Sequence, residues 1–367
     1  MYKTHFYYGQ IHVPGSKALY QEILRSIRGH KTWASVPYTL SEAEIYQALY
    51  ALNMDYPELF YVRLFGDGCS MANVNAPGAR VEFVYEYARR EEEKRIRETE
   101  GYLRYLLNHM PSAVKKTEFG KALWLHDLIS RNLKYDERAR EAGAEFFPDS
   151  YRFVGGLLRK TAVCAGVSEL FQILCERSDL WCASVVGRAG SDGRKGKNAG
   201  TQAPNHAWNL LRVDNTFSYV DVTWDLNTGK HQAGVSHRYF GMGDSQCAVT
   251  HHPASYIHGY PAARIQMPRC PDESRVNYYV RTGALIHQLS ELDKPIETML
   301  RRKRRSLSFQ LSPQLRKLSC HTVMDWVSKR VFREPQVRSH AYWNDEATGI
   351  YEIEVTYRGK GAGVCQS

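Results

Sequence analysis

The runs HAWNLLRV and FSYVDV flank Asp214-Asn215, and this stretch constrains the fold more than any other part of the chain. Both runs have β composition and the Asp-Asn pair suits a tight turn, so the segment reads as a hairpin. If 213 pairs with 216, residue 208 stands opposite 221. Period-two alternation then puts His206, Trp208 and Asp221 on one face, with His206 and Asp221 as diagonal neighbours. A carboxylate there can hold an imidazole.

Upstream, Thr161-Ala-Val-Cys164-Ala-Gly166 precedes an amphipathic segment whose apolar positions Val167, Leu170, Phe171, Leu174 and Cys175 fall at helical intervals. Cys164 therefore belongs in the first turn of a helix, where unpaired N–H groups and the positive dipole end stabilise a thiolate and can bind a developing oxyanion. A neutral imidazole that takes the thiol proton on one nitrogen needs its other nitrogen fixed by an acceptor. Cys164, His206 and Asp221 supply nucleophile, base and orienting group. Each alone is an ordinary core residue; the helix-then-hairpin context is what joins them. For the oxyanion the Cys164 backbone N–H comes first, with Tyr151 as a side-chain candidate. Trp208, Trp224 and Asp225 are candidates for supporting the three from behind.

Between helix and hairpin, Cys182 to Gly187 reads as an apolar strand, and Arg188 to Asn205 as a glycine-rich polar loop able to border a groove. Its basic residues would favour acidic peptides. It lacks the GxxxxGK[ST] spacing of a phosphate loop.

The motifs AVCAGVSELFQILCE, NHAWNLLRV and YVDVTWD resemble the core motifs of the transglutaminase-like superfamily, particularly bacterial members of unassigned activity. The resemblance covers about Phe119 to Pro261, and extends loosely through His126-Asp127, Leu133 to Asp136, Tyr239-Phe240 and His252. It implies a papain-like core, with the nucleophile's helix packed on an antiparallel sheet that bears His and Asp, and it makes Cys164, His206 and Asp221 the catalytic triad. Ser178-Asp-Leu-Trp181 stands where such proteins have a glycine-containing turn, and the loop before His206 is long and basic. Both departures bear on substrate preference.

A chain of 367 residues suits two or three domains. The expected α+β organisation is an N-terminal module over 1–110, a transglutaminase-like core over 111–273, a C-terminal module over 274–359 and a tail over 360–367. Helices are expected from Ser16 to Arg28, after Thr39-Leu40-Ser41-Glu42, from Ala88 to Asn108 and from Phe119, with a strand over Ala79 to Tyr87 and a loop after Tyr135-Asp136. A second helix is expected after Leu311-Ser312-Pro313. The similar element order at the two ends suggests related copies.

With 43% hydrophobic residues the chain has ample surface to bury, which excludes wholesale disorder. No apolar run is long enough to span a bilayer and the opening lacks the apolar centre of a signal peptide, so a soluble, cytoplasmic protein is expected; a secreted chain stripped of its leader would read the same way. The eight cysteines contain no CxxC pair and are expected to be mostly reduced and buried, Cys175 and Cys182 among them. The net charge of +10 favours acidic partners, but Arg301 to Arg305 reads as the end of a short helix, and nucleic-acid binding is not expected. His231, His237, His251, His252 and His258 lack a metal-site frame and read as loop histidines.

The expected function is cysteine-dependent acyl transfer on a peptide or Gln side-chain amide, with no metal or organic cofactor, on a peptide or protein substrate. The alternative is a catalytically silent protein- or cell-wall-binding module on the same fold. The sequence leaves the oligomeric state open.

Overall fold

The protein was analysed as a computed structural model, which describes residues 3–190, 203–226 and 235–358. Its centre is a five-stranded sheet in the order Phe240–Met242, Thr216–Val220, His206–Val213, Trp181–Ala189, His251–Pro253, antiparallel throughout. Val213 pairs with Thr216, and Asp214 and Asn215 both take positive φ, 48° and 61°. That is the two-residue turn whose twist suits a hairpin, and it fixes the register of everything after it.

The helix Cys164–Glu176 packs on the strands Trp181–Ala189 and His206–Val213, and the helix Glu118–Asn132 packs on its outer side. Leu170, Phe171 and Leu174 from the first helix, Leu125 and Ile129 from the second, and Leu211 and Val213 from the sheet form one buried cluster. Asn209 ties the sheet to this helix by donating to Ser168 O at 2.9 Å. The opposite face carries Val185, Trp208, Leu210 and Tyr219 in a smaller cluster with Met242 and Cys247. With both faces covered, the central strands are apolar on both sides.

Two further cores flank this one. The first combines Leu19, Ile23, Ile45 and Leu52 with Val81 and Phe83, and it also takes in Ile257, Ala263 and Ile265 from the hairpin near residue 260. Ser41 caps its helix Glu42–Asp55 in a reciprocal capping box with Glu44. The second lies within residues 286–355, between the sheet built on Ser306–Leu311 and Ile350–Tyr357 and the helices Asp293–Arg301 and Cys320–Val331.

Several expected elements are redrawn. The strand expected over Ala79 to Tyr87 is two short strands, Arg80–Glu82 and Val84–Tyr85, which pair in different sheets. The loop after Tyr135 holds a helix, Glu137–Ala142, because Asp136 caps it by accepting from Ala139 N–H. The second C-terminal helix follows Leu311-Ser312-Pro313 as Cys320–Val331, capped by Ser319. The two end sheets differ as well: three antiparallel strands at one end, four with one parallel pair at the other. Among the described residues no helix is long and apolar enough to cross a membrane.

Candidate active site

Cys164 is the first residue of its helix. Val163 precedes it in extended conformation, and no side chain caps the first-turn N–H groups. The spacing Cys-Ala-Gly has a steric reason: a Cβ on Gly166 would lie 2.6 Å from Ser150 O and 2.7 Å from Arg152 O. The segment 150–152 crosses the helix's first turn at a distance only glycine permits.

His206 is the first residue of its strand, opposite Gly187. Its Nε2 lies 2.7 Å from Asp221 Oδ2, and Cys164 stands near enough to the same ring to interact with it electrostatically. Since Nε2 faces the carboxylate, Nδ1 is the nitrogen left for the thiol. Burial works to lower the His206 pKa, but the charge and hydrogen bond of Asp221, reinforced by Cys164, override it and raise it from 6.5 to about 10. Asp221 shows the counterpart: burial pushes it up, yet His206 and His251 hold it well below the usual carboxylate range.

The second histidine on Asp221 corrects the sequence reading. His251 and His252 lie in the strand His251–Pro253, which pairs with Gly187–Ala189, and are not loop residues. His251 is completely buried, and its Nε2 is 2.9 Å from the same Asp221 oxygen that His206 engages. No local pattern announces it, because the pairing that seats it joins segments some 60 residues apart. Of the other histidines, His237 binds Asp127 at 2.7 Å and stacks on Tyr278, His258 sits in a turn, and His231 lies outside the described residues.

The supporting candidates separate by contact. The Trp224 ring stands 5.6 Å from His206 and 4.5 Å from His251, centroid to centroid, and its backbone N–H donates to Asp221 Oδ1. Trp208, buried, stacks along His206 and meets His251 edge-on. Asp225 works one layer away: it accepts from His126, Ser236 and the backbone N–H groups of Arg238 and Tyr239, pinning the turn after Asp221 to the helix Glu118–Asn132. Tyr151 stands near enough to Cys164 to interact with it electrostatically, but its hydroxyl donates to Ala139 O. Tyr135, which the sequence reading passed over as a site candidate, also feels the Cys164 charge. Burial raises both phenols, with the Cys164 charge adding to it.

A cavity of about 890 Å³ lies on the N-terminal side of the core, and Cys164, His206 and Asp221 are not among its lining residues. Tyr151, Ala165, Glu169 and Ala207 line it from the core, and Tyr50 and Phe65 from the N-terminal side, so it reaches the immediate chain neighbours of Cys164 and His206. Burial lifts the Glu169 carboxyl to about 7 despite Arg152 nearby. The loop expected to border this groove lies largely outside the described residues; its ends, Arg188–Ala189 and Asn205, are held to each other and to the strand edge.

Among the described residues, two groups have the donor atoms for a metal ion, His126/Asp127/His237 and His206/Asp221/His251, each with its atoms within 4.8 Å of one another. Both are hydrogen-bonded networks as they stand. Cys175 and Cys182 are buried free thiols, and burial drives Cys182 upward, as suits inert core positions.

No family model and no curated protein matches the chain. Among solved structures it is similar to one described as "Crystal structure of a TGase", at 14% identity and a TM-score of 0.29 over 52% of this chain and 51% of that one. It is also similar to a "Putative Cysteine Protease from Cytophaga hutchinsonii", at 13% identity and a TM-score of 0.24 over 45% of this chain and 58% of that one. The chain thus spans about half the length of these neighbours. Their names agree with the transglutaminase-like resemblance of the motifs, and at scores this low they add no weight to it.

Proposed function

We propose that the protein is a cysteine-dependent enzyme of transglutaminase-like type, in which Cys164 attacks a peptide or Gln side-chain amide. The observation that carries this reading is the line Cys164, His206, Asp221, with the thiol at a helix N-terminus and the far imidazole nitrogen on a buried carboxylate 2.7 Å away. His206 takes the thiol proton on Nδ1; the thiolate adds to the carbonyl carbon; His206 returns the proton to the departing amine, leaving a thioester. Water then adds, gives its proton to His206, and releases the carboxylic acid and the thiol. An amine entering in place of water would give transamidation, and hydrolysis is the default in aqueous surroundings. The Cys164 backbone N–H is the first oxyanion donor. The proposed papain-like core is 111–273, with the hairpin near residue 260 packed into the N-terminal core, between end modules at 1–110 and 274–359; the cavity lined by Ala165, Glu169 and Ala207 is the proposed substrate space.

Competitive alkylation with low iodoacetamide, read by peptide mass spectrometry, tests this. Cys164 is expected to label at least tenfold faster than Cys175 or Cys182, on the order given by thiolate population and access, and His206→Ala to abolish the advantage. Incubation with a pool of Gln-containing peptides then separates cleavage, deamidation and amine incorporation by product mass. Slow, uniform labelling with no peptide product would favour the silent binding module instead.

A further inference from the structure

Asp221 is gripped by more donors than orienting one imidazole requires. Oδ2 receives His206 Nε2 at 2.7 Å and His251 Nε2 at 2.9 Å, and Oδ1 receives the Trp224 N–H at 3.1 Å. An ionised carboxylate only accepts, so His251 carries its proton on Nε2. Its other nitrogen, Nδ1, lies 2.8 Å from the Thr250 hydroxyl, which can donate to it and so fix that tautomer. The ring has no freedom to leave: it is fully buried and packed against Trp208, Trp224 and Tyr239. Gly187 shows how tightly the strand of His251 is drawn in, since a Cβ there would lie 2.3 Å from His252 O and 2.6 Å from the Trp208 ring.

We infer that His251, seated by Thr250, is a positioning residue that fixes the Asp221 carboxylate for His206, so that the working unit is a chain of five groups: Cys164, His206, Asp221, His251 and Thr250. This rests on the proposed role of the first three. Without His251, the Asp221 carboxylate keeps His206 on Oδ2 and the Trp224 N–H on Oδ1 but loses its third anchor, and any added rotation about Cβ–Cγ swings the His206 ring that must face the thiol. The titratable groups around the ring are Asp221, His206, Tyr239 and, on the helix Asp244–Thr250, Cys247, whose thiol approaches His251 O. Among these Asp221 is the acceptor for both imidazoles, so loss of His251 is felt directly at the His206 contact.

The test uses the full chain and the iodoacetamide rate at Cys164, with urea unfolding midpoints confirming that each variant is folded. His251→Ala is expected to slow labelling about tenfold, the scale of removing a group that orients a functional ligand. His251→Gln, whose amide can still donate to Asp221, is expected to recover to within about threefold of the native rate, and Thr250→Val, which removes only the hydroxyl, to fall between the two. A folded His251→Ala that labels at the native rate overturns the proposal, as does a Gln variant no faster than Ala, since a purely structural histidine would not be rescued by a donor. If His206→Ala labels at the native rate in the otherwise native chain, the triad reading itself has failed, which is a different result.

Discussion

At the scale of single residues, the site is a problem of buried charge. Asp221 and His251 are completely buried and His206 nearly so, and a carboxylate in that setting is tolerable only because it is fully hydrogen-bonded and partly neutralised. The pH dependence follows from the sign of the His206 shift. Its folded pKa, about 10, lies above the ordinary 6.5, so the folded state binds the proton more tightly than the unfolded one. That stabilisation is complete below pH 6.5 and is lost as pH rises through about 10. The urea midpoint of the native chain is therefore expected to fall between neutral pH and about pH 10 by more than that of His206→Gln, which removes this titration. Equal slopes for the two chains would show that the imidazolium is not held as described.

At the scale of elements, the candidate site depends on how closely three segments approach: the first turn of the helix Cys164–Glu176, the loop over it and the sheet edge. Gly166 is where the first two touch. Gly166→Ala places a methyl within 2.7 Å of two carbonyl oxygens of the backbone, which cannot swing aside as a side chain would. It is expected to destabilise by about 1–3 kcal/mol, measured by urea unfolding, and to slow Cys164 labelling because relief requires the helix start to move. The turn after Asp221 is held in the same spirit by Asp225. Asp225→Asn keeps the size of the side chain but cannot accept from all of its donors at once, and an unsatisfied buried donor costs about 1–3 kcal/mol. Thermal unfolding of that variant would measure the cost.

At the scale of the whole molecule, the flanking parts are tied to the core by specific polar contacts. Lys3 pairs with Glu58 and with Glu176, the last residue of the helix Cys164–Glu176, and the Tyr7 hydroxyl donates to Ser184 O in the central sheet. On the other side, Arg238 binds Glu352 and lies over the Trp343 ring, while Ser236 links Glu352 to Asp225. The C-terminal part thereby reaches the turn that carries Asp221. A double-mutant cycle on Arg238→Ala and Glu352→Ala is expected to give a coupling of about 1 kcal/mol or more, since both side chains are largely buried. A coupling near zero would mean the two parts dock through apolar contacts alone.

The hairpin, its register and the start of the helix Cys164–Glu176 could be read from the sequence because each is decided within a dozen residues: two left-handed turn positions set the first two, and helical spacing behind Cys164 sets the third. The helix after Thr39-Leu40-Ser41-Glu42 was readable for the same reason, and it runs Glu42–Asp55 with Ser41 as its cap. What depends on distant segments meeting was not. Ala79 to Tyr87 has one continuous alternation, yet its halves pair with different partners and the strand breaks between them. His251 looked like one loop histidine among five because nothing near it in sequence shows that its strand closes the sheet beside Gly187 and delivers the ring to Asp221. The sequence determined which groups could do the chemistry; only the tertiary structure decided what holds them, since burial and the choice of hydrogen-bond partner belong to packing between elements and not to the elements themselves.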